Sequence, residues 1–224
     1  ALYYRSFIYL EMGKPQLAIA DLDKMLGLGI RDYETLHLHG CAQYDLGNYE
    51  KAIEDENEAI SINPQAHECY DMRASAYRAV DQKDAAIQDY TTSIYYGKCR
   101  GVDLCKNYTN RALLYLETGK YEEAVEDCND AQKYNPSYIT LYLTRADAYT
   151  KLNKYKDAIA DCNYVIGIAP NSADGFHSRG NVYMIMGEYK NAVADFTSAI
   201  KIDNSNPSLY ALRSVAYMNL NKNK

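Results

Sequence analysis

An all-α solenoid of antiparallel helix pairs is the fold class this sequence predicts, and three observations predict it. A unit seen most cleanly in Ile139–Ser172 recurs almost to the end of the chain. The prolines that close successive copies, Pro136 and Pro170, stand 34 residues apart, a period typical of stacked helical repeats. Small residues recur where the two helices of a unit must touch, Ala146 and Ala158 in the central copy, and Gly, Asp or Asn recurs at the turn between them. Those turn residues tolerate the left-handed conformation that ends a helix sharply.

Aligned on the central unit, the chain divides into copies at about 1–32, 33–66, 67–104, 105–138, 139–172 and 173–206, followed by a single capping helix at 207–224. The whole is expected to form one domain. Each full copy should be two antiparallel helices joined by a short turn. The first helices bring Ser6, Gly40, Ala74, Ala112, Ala146, Gly180 and Ser214 to the crossing, and the second helices answer with Ala18, Ala52, Ala86, Ala124, Ala158 and Ala192. Small side chains there let helix axes approach to about 8–10 Å. The turns fall at Gly13, Gly47, Asp81, Gly119, Asn153 and Gly187, and Pro64, Pro136, Pro170 and Pro207 lie between helix pairs. Proline stops or starts a helix there at little cost.

Three residues after the crossing position comes Tyr9, Tyr77, Tyr115, Tyr149, Tyr183 or Tyr217, a stripe expected to pack in the core. The 67–104 copy has four surplus residues, within Tyr95–Leu104. They form either a longer loop or an extra turn on the preceding helix. Arg5, Arg73, Arg111, Arg145, Arg179 and Arg213 precede the crossing residue, with His39 in the second copy. Sixteen residues later stand Asp21, Asp55, Asp89, Asp127, Asp161 and Asp195. Opposite charges repeating on adjacent helices predict an Arg–Asp ladder, within or between copies.

These residues closely resemble the tetratricopeptide repeat family over the whole chain. The resemblance implies a right-handed superhelical α-solenoid whose first helices line a concave, peptide-binding face. The family's groove positions fall here on Glu34, His37, Cys41, Tyr44 and Asp45, then Glu68, Asp71, Ser75 and Arg78. They continue with Lys106, Thr109, Leu113, Leu116 and Glu117, then Leu143, Asp147 and Lys151, then His177, Asn181 and Met184, and end on Val215 and Met218. A co-chaperone subfamily grips the C-terminal carboxylate of heat-shock chaperones with Lys, Asn and Arg at set positions. Here the corresponding residues include His37, Cys41, Asp71 and Ser75, so that clamp is absent.

Composition narrows the function further. The net charge is −6 and the isoelectric point about 5.3, without the basic patch that phosphate backbones require. No apolar run approaches the roughly 20 residues that span a bilayer, and the opening residues do not read as a signal peptide. Cys128 and Cys162 recur at one repeat position, as buried small hydrophobes rather than a disulfide framework; a reducing cytoplasmic location is expected.

Chemistry is sparse. His37 and Cys41 share a helix face and make half a metal site, but no second His/Cys pair at metal-ligand spacing is evident, so neither metal nor cofactor is expected. No nucleophile, base and orienting group form a recognisable set. The expected function is therefore a non-enzymatic scaffold, a co-chaperone-like adaptor without the carboxylate clamp. It should bind a protein segment that carries basic and apolar residues, because Glu34, Asp45, Glu68 and Asp71 gather early on the wall and Leu113, Leu116 and Leu143 follow. The alternative is a substrate-recruiting repeat region of a larger enzyme.

Overall fold

The computed structural model describes residues 1–222; Asn223 and Lys224, the end of the expected capping segment, lie outside the described residues. The described residues form helices without strands, arranged as two compact units, Ala1–Asn107 and Tyr108–Lys224. The first holds α1 (Leu2–Glu11), α2 (Pro15–Gly27), α3 (Tyr33–Asp45), α4 (Tyr49–Ile62), α5 (His67–Ala79), α6 (Lys83–Arg100) and the start of α7 (Cys105–Glu117). The second holds the rest of α7, then α8 (Tyr121–Tyr134), α9 (Ile139–Lys151), α10 (Tyr155–Ile168), α11 (Asp174–Met186), α12 (Tyr189–Ile202) and α13 (Pro207–Lys222).

The turn residues act as their chemistry predicts. Between α5 and α6, Asp81 takes φ +59°, and between α9 and α10 Asn153 takes φ +58°, where other copies use glycine. Asp32 caps α3 by accepting the Thr35 amide at 2.8 Å, satisfying a donor that the first turn of a helix leaves free. Pro15 sits in the first turn of α2, where its missing N–H costs nothing.

The small crossing residues are buried together. Ala18 packs with Leu22, Leu38 and Ala42, and Ala146 with Ala158, Cys162 and Val182. The four surplus residues lengthen a helix rather than a loop: α6 has 18 residues where α4, α8, α10 and α12 have 14. Gly101 then ends α6 at φ +66°. Gly97 permits the return, since a Cβ there would lie 2.6 Å from Leu104 Cδ2.

The ladder forms within copies. Arg145 Nε and Nη2 donate to the two oxygens of Asp161 at 2.8 Å each, and Arg5–Asp21, Arg73–Asp89, Arg111–Asp127 and Arg179–Asp195 repeat the fork. His39 Nδ1 meets Asp55 Oδ2 at 2.7 Å in the remaining copy. A third nitrogen reaches backwards: Arg73 Nη1 donates to Asn57 and Arg145 Nη1 to Asn129, each at 2.6 Å, and Arg179 Nη1 donates to Asn163. Side-chain amides of one copy are thus tied to the guanidinium of the next.

The tyrosine stripe packs on the core from its edge: Tyr9, Tyr115, Tyr149 and Tyr183 lie half-buried against the apolar clusters, Tyr77 is half-buried, and only Tyr217 of the stripe is exposed. The reason is the ladder: Arg73 lies 5.5 Å from the Tyr70 ring centroid and 5.8 Å from that of Tyr77, and Arg111 is held likewise by Tyr108 and Tyr115. The rings cover the charged fork while keeping an edge in water. Full burial falls instead to Tyr90 and Tyr108.

Candidate functional site

The expected groove residues of the first unit divide into open and engaged ones. Glu34, on the first turn of α3, is exposed and shares a cavity of about 340 Å³ with Tyr3, Met25, Asp32 and Thr35. Asp45 is also exposed, and Tyr44 makes an edge contact with Tyr49. Glu68 lies 3.6 Å from His67 and 3.9 Å from Arg100. Asp71 accepts from Asn107 Nδ2 at 2.9 Å, and burial pushes its carboxyl up to about 6. Ser75 bonds the Tyr90 hydroxyl at 3.0 Å, Arg78 is half-buried and Lys106 is exposed. Glu68 therefore has Arg100 at ion-pair distance and Asp71 is engaged by the Asn107 amide, so neither carboxylate stands open on an acidic wall.

His37 and Cys41 have company that pairwise spacing does not reveal. His37 Nδ1 stands 2.9 Å from Glu56 Oε1, and Cys41 Sγ stands 3.7 Å from His37 Nε2. Ligand atoms of His37, Glu56 and Cys69 all lie within 4.8 Å of one another. Glu56 and Cys69 are completely buried, and Glu56 Oε2 has no hydrogen-bond partner among the described residues. Burial raises the Glu56 carboxyl although His37 pulls it down, and it pushes the Cys69 thiol up to about 11. The partners come from α4 and from α5 of the following copy. Glu56 is nonetheless visible in the sequence as the one carboxylate at a position that elsewhere carries Leu22, Tyr90, Cys128, Cys162 and Phe196.

In the second unit, residues from α7, α9, α11 and α13 line a cleft of about 420 Å³. Leu116, Asp147, Lys151, Asn181 and Met184, all expected groove residues, meet there with Thr150, Val182, Ile185 and Leu212. Asp147 faces solvent, but the cleft lining displaces enough water to raise its pKa, with His177 and Lys151 opposing. His177 Nε2 lies 3.2 Å from Asn181 Nδ2. Leu113 and Leu143 are half-buried and Glu117 is exposed, whereas Thr109 is fully buried and offers no surface to a ligand. Val215 and Met218 are exposed on α13. Sequence reasoning missed Thr150, Val182, Ile185 and Leu212, because they sit beside the family's groove positions rather than on them.

The class of protein follows from this repeated geometry: a helical-repeat scaffold. The tetratricopeptide repeat pattern matches residues 33–66, 139–172 and 106–138, and a further TPR repeat pattern matches 180–221. The chain belongs to the tetratricopeptide repeat family. Among curated proteins it is similar to tetratricopeptide repeat protein 36 of Danio rerio, 28% identical over 42% of this chain and 51% of that protein. It is also similar to the TPR repeat-containing thioredoxin TDX of Arabidopsis thaliana, 33% identical over 39% of this chain and 22% of that protein. The chain thus spans about half or less of the curated relatives it matches. Among solved structures, a tetratricopeptide repeat protein from Parabacteroides merdae aligns over 97% of this chain and 84% of its own, with TM-score 0.79 and 22% identity. YrrB, described as a TPR protein with an unusual peptide-binding site, aligns over 86% of this chain and 97% of its own, with TM-score 0.70 and 13% identity. No helix among the described residues is long and apolar enough to cross a membrane.

Proposed function

We propose that the chain is a non-enzymatic scaffold whose second unit binds a peptide or helix of a partner protein in the α7–α9–α11–α13 cleft. The observation that carries this reading is the convergence of Leu116, Val182, Met184, Ile185 and Leu212 around the Asp147 carboxylate. Buried apolar contact holds such a segment, and a carboxylate at the mouth steers and orients it. The occupant that fits is a segment with Lys or Arg beside one or two large apolar residues. YrrB, a peptide-binding member of the same fold, supports the mode of use. The carboxylates of the first unit contribute less than their number suggests, because Glu68 and Asp71 already have partners.

The test is selection of peptides from a random library on the whole chain, followed by rate measurements on the enriched sequence. Basic residues flanked by Leu, Ile, Met or Phe should be enriched. Asp147→Lys should slow association and reduce its dependence on salt, while Leu116→Ala should mainly speed dissociation. Enrichment of acidic peptides, or binding indifferent to both changes, would rule the cleft out. The similarity to a TPR-containing thioredoxin favours, as a second reading, a recruiting region within a longer enzyme; the sequence of the full-length gene decides it.

A further inference from the structure

The cluster around His37 has no role in that cleft, and its composition is unlike the rest of the core. At the position of Glu56 the other copies bury Leu22, Tyr90, Cys128, Cys162 and Phe196. At that position, among the described residues, this copy alone has a carboxylate; it is 0% exposed, and one of its oxygens is left without a hydrogen-bond partner. A buried polar atom left unsatisfied carries the full cost of its lost hydration. The backbone makes room for it: Gly40 packs so closely that a Cβ there would stand 2.8 Å from Glu56 Oε1. A thiol, Cys69, and an imidazole, His37, complete the triangle.

We propose that His37, Glu56 and Cys69 are the protein ligands of a zinc ion, with the fourth position open on the Cys41 side. Zinc takes nitrogen, oxygen and thiolate sulfur together, at about 2.0–2.3 Å in a tetrahedron, which sets ligand atoms roughly 3.3–3.8 Å apart. Donor atoms already within 4.8 Å of one another need only small rotamer changes to close on it. One thiolate, one carboxylate and a neutral imidazole neutralise a dication, so the filled site carries no net charge into the core. Binding displaces to solvent the Cys69 proton and the extra proton held between His37 and Glu56, leaving a thiolate, a neutral imidazole and a carboxylate around the ion. It also gives Glu56 Oε2 a cation to face. His37, with 22% of its side chain exposed, leaves a path from solvent.

The same residues resemble a nucleophilic relay, Cys41 to His37 to Glu56. That reading lacks a receptor for the oxyanion, because the amides around Cys41 lie in the middle of α3 and are bonded within the helix. A metal needs no such donors.

The experiment uses the whole chain, reduced and stripped of metal with a chelator. Zinc is titrated against a chromogenic competitor, and cobalt is added separately as a spectroscopic probe. One zinc should bind per chain and raise the melting temperature, and cobalt should give a thiolate charge-transfer band with the intense visible bands of a tetrahedral site. Cys69→Ser should weaken zinc by more than about 100-fold, beyond the roughly 10–100-fold that loss of an outer partner produces. Glu56→Gln should do the same while circular dichroism stays helical. Cys162→Ser, at a buried thiol outside the cluster, should leave the zinc affinity unchanged. Failure of the wild-type chain to bind, or binding that survives Cys69→Ser but not Cys41→Ser or Cys99→Ser, would overturn the assignment.

Discussion

The copies at 33–66 and 173–206 carry the same two residues at matching places, His37 with Gly40 and His177 with Gly180. What faces them differs. In the first unit Gly40 makes room for Glu56, and His37 meets a carboxylate and a thiol. In the second, Gly180 makes room for Phe196, whose ring would lie 2.7 Å from an added Cβ. There His177 has Asn181 beside it and the Phe196 ring 6.4 Å away, and Leu209 occupies the place corresponding to Cys69. One histidine stands over a set of donors, the other over an apolar layer. The second helix and the following copy, rather than the histidine, decide which chemistry a groove position acquires.

Moving the carboxylate between the two settings should have the largest effect. Phe196→Glu removes a fully buried ring and places an acid among Ala192, Ala216 and their neighbours; a loss of at least about 4 kcal/mol is expected in urea denaturation. A near-neutral result would mean that the second unit tolerates charge as readily as the first. The ladder gives the next contrast. Asp195→Ala breaks a bidentate fork to Arg179 and should cost about 2–3 kcal/mol, reduced by the partial exposure of the guanidinium. Asp55→Ala removes a single imidazole contact and should cost about 1 kcal/mol. Equal losses would show that the fork adds nothing over one bond.

Filling the two glycines should separate them more finely. Gly180→Ala meets a rigid ring and should lose about 1–3 kcal/mol. Gly40→Ala meets the end of Glu56, which can yield, and should lose less. A reversal of that order would place the tighter constraint at Glu56. The smallest expected effect is that of Asp147→Asn. The folded chain holds the Asp147 proton more tightly than the unfolded one, since its carboxyl is raised by the surrounding wall. Its contribution is therefore most favourable at acid pH, below the unfolded value, and is lost as pH rises through the folded one. Asp147→Asn should stabilise the protein at neutral pH by less than about 1 kcal/mol, and the difference should vanish by about pH 4. An effect that grows on acidification would reverse the sign.

The repeat scaffold was legible because each of its devices is local or strictly periodic. Asp81 and Asn153 announce left-handed turns by residue type, and Arg145 finds Asp161 at a spacing every copy repeats. The four surplus residues were not decidable, since Gly97 and Gly101 suit a loop as well as a helix end; the close fit of Gly97 against Leu104 decides for the helix. The cluster around His37 was half legible. Cys41 is one turn away on the same helix, but Glu56 lies on the next helix and Cys69 on the helix after that. Only reading down the copies, where Glu56 interrupts a column of apolar residues, could have singled it out. The cleft residues Leu116, Asp147 and Asn181 came from family register; their neighbours Ile185 and Leu212 did not.

The backward reach of the arginines makes the copies unequal as parts. Arg73 leans on Asn57, Arg145 on Asn129 and Arg179 on Asn163, so each of these three copies finishes a bond begun by its predecessor. A designer who lengthens, shortens or reorders the array cannot treat each block of 34 residues as a self-contained tile. An asparagine donated by one tile and an arginine supplied by the next behave as plug and socket, and a rearrangement that separates them leaves both faces mismatched even when every tile keeps its own fold.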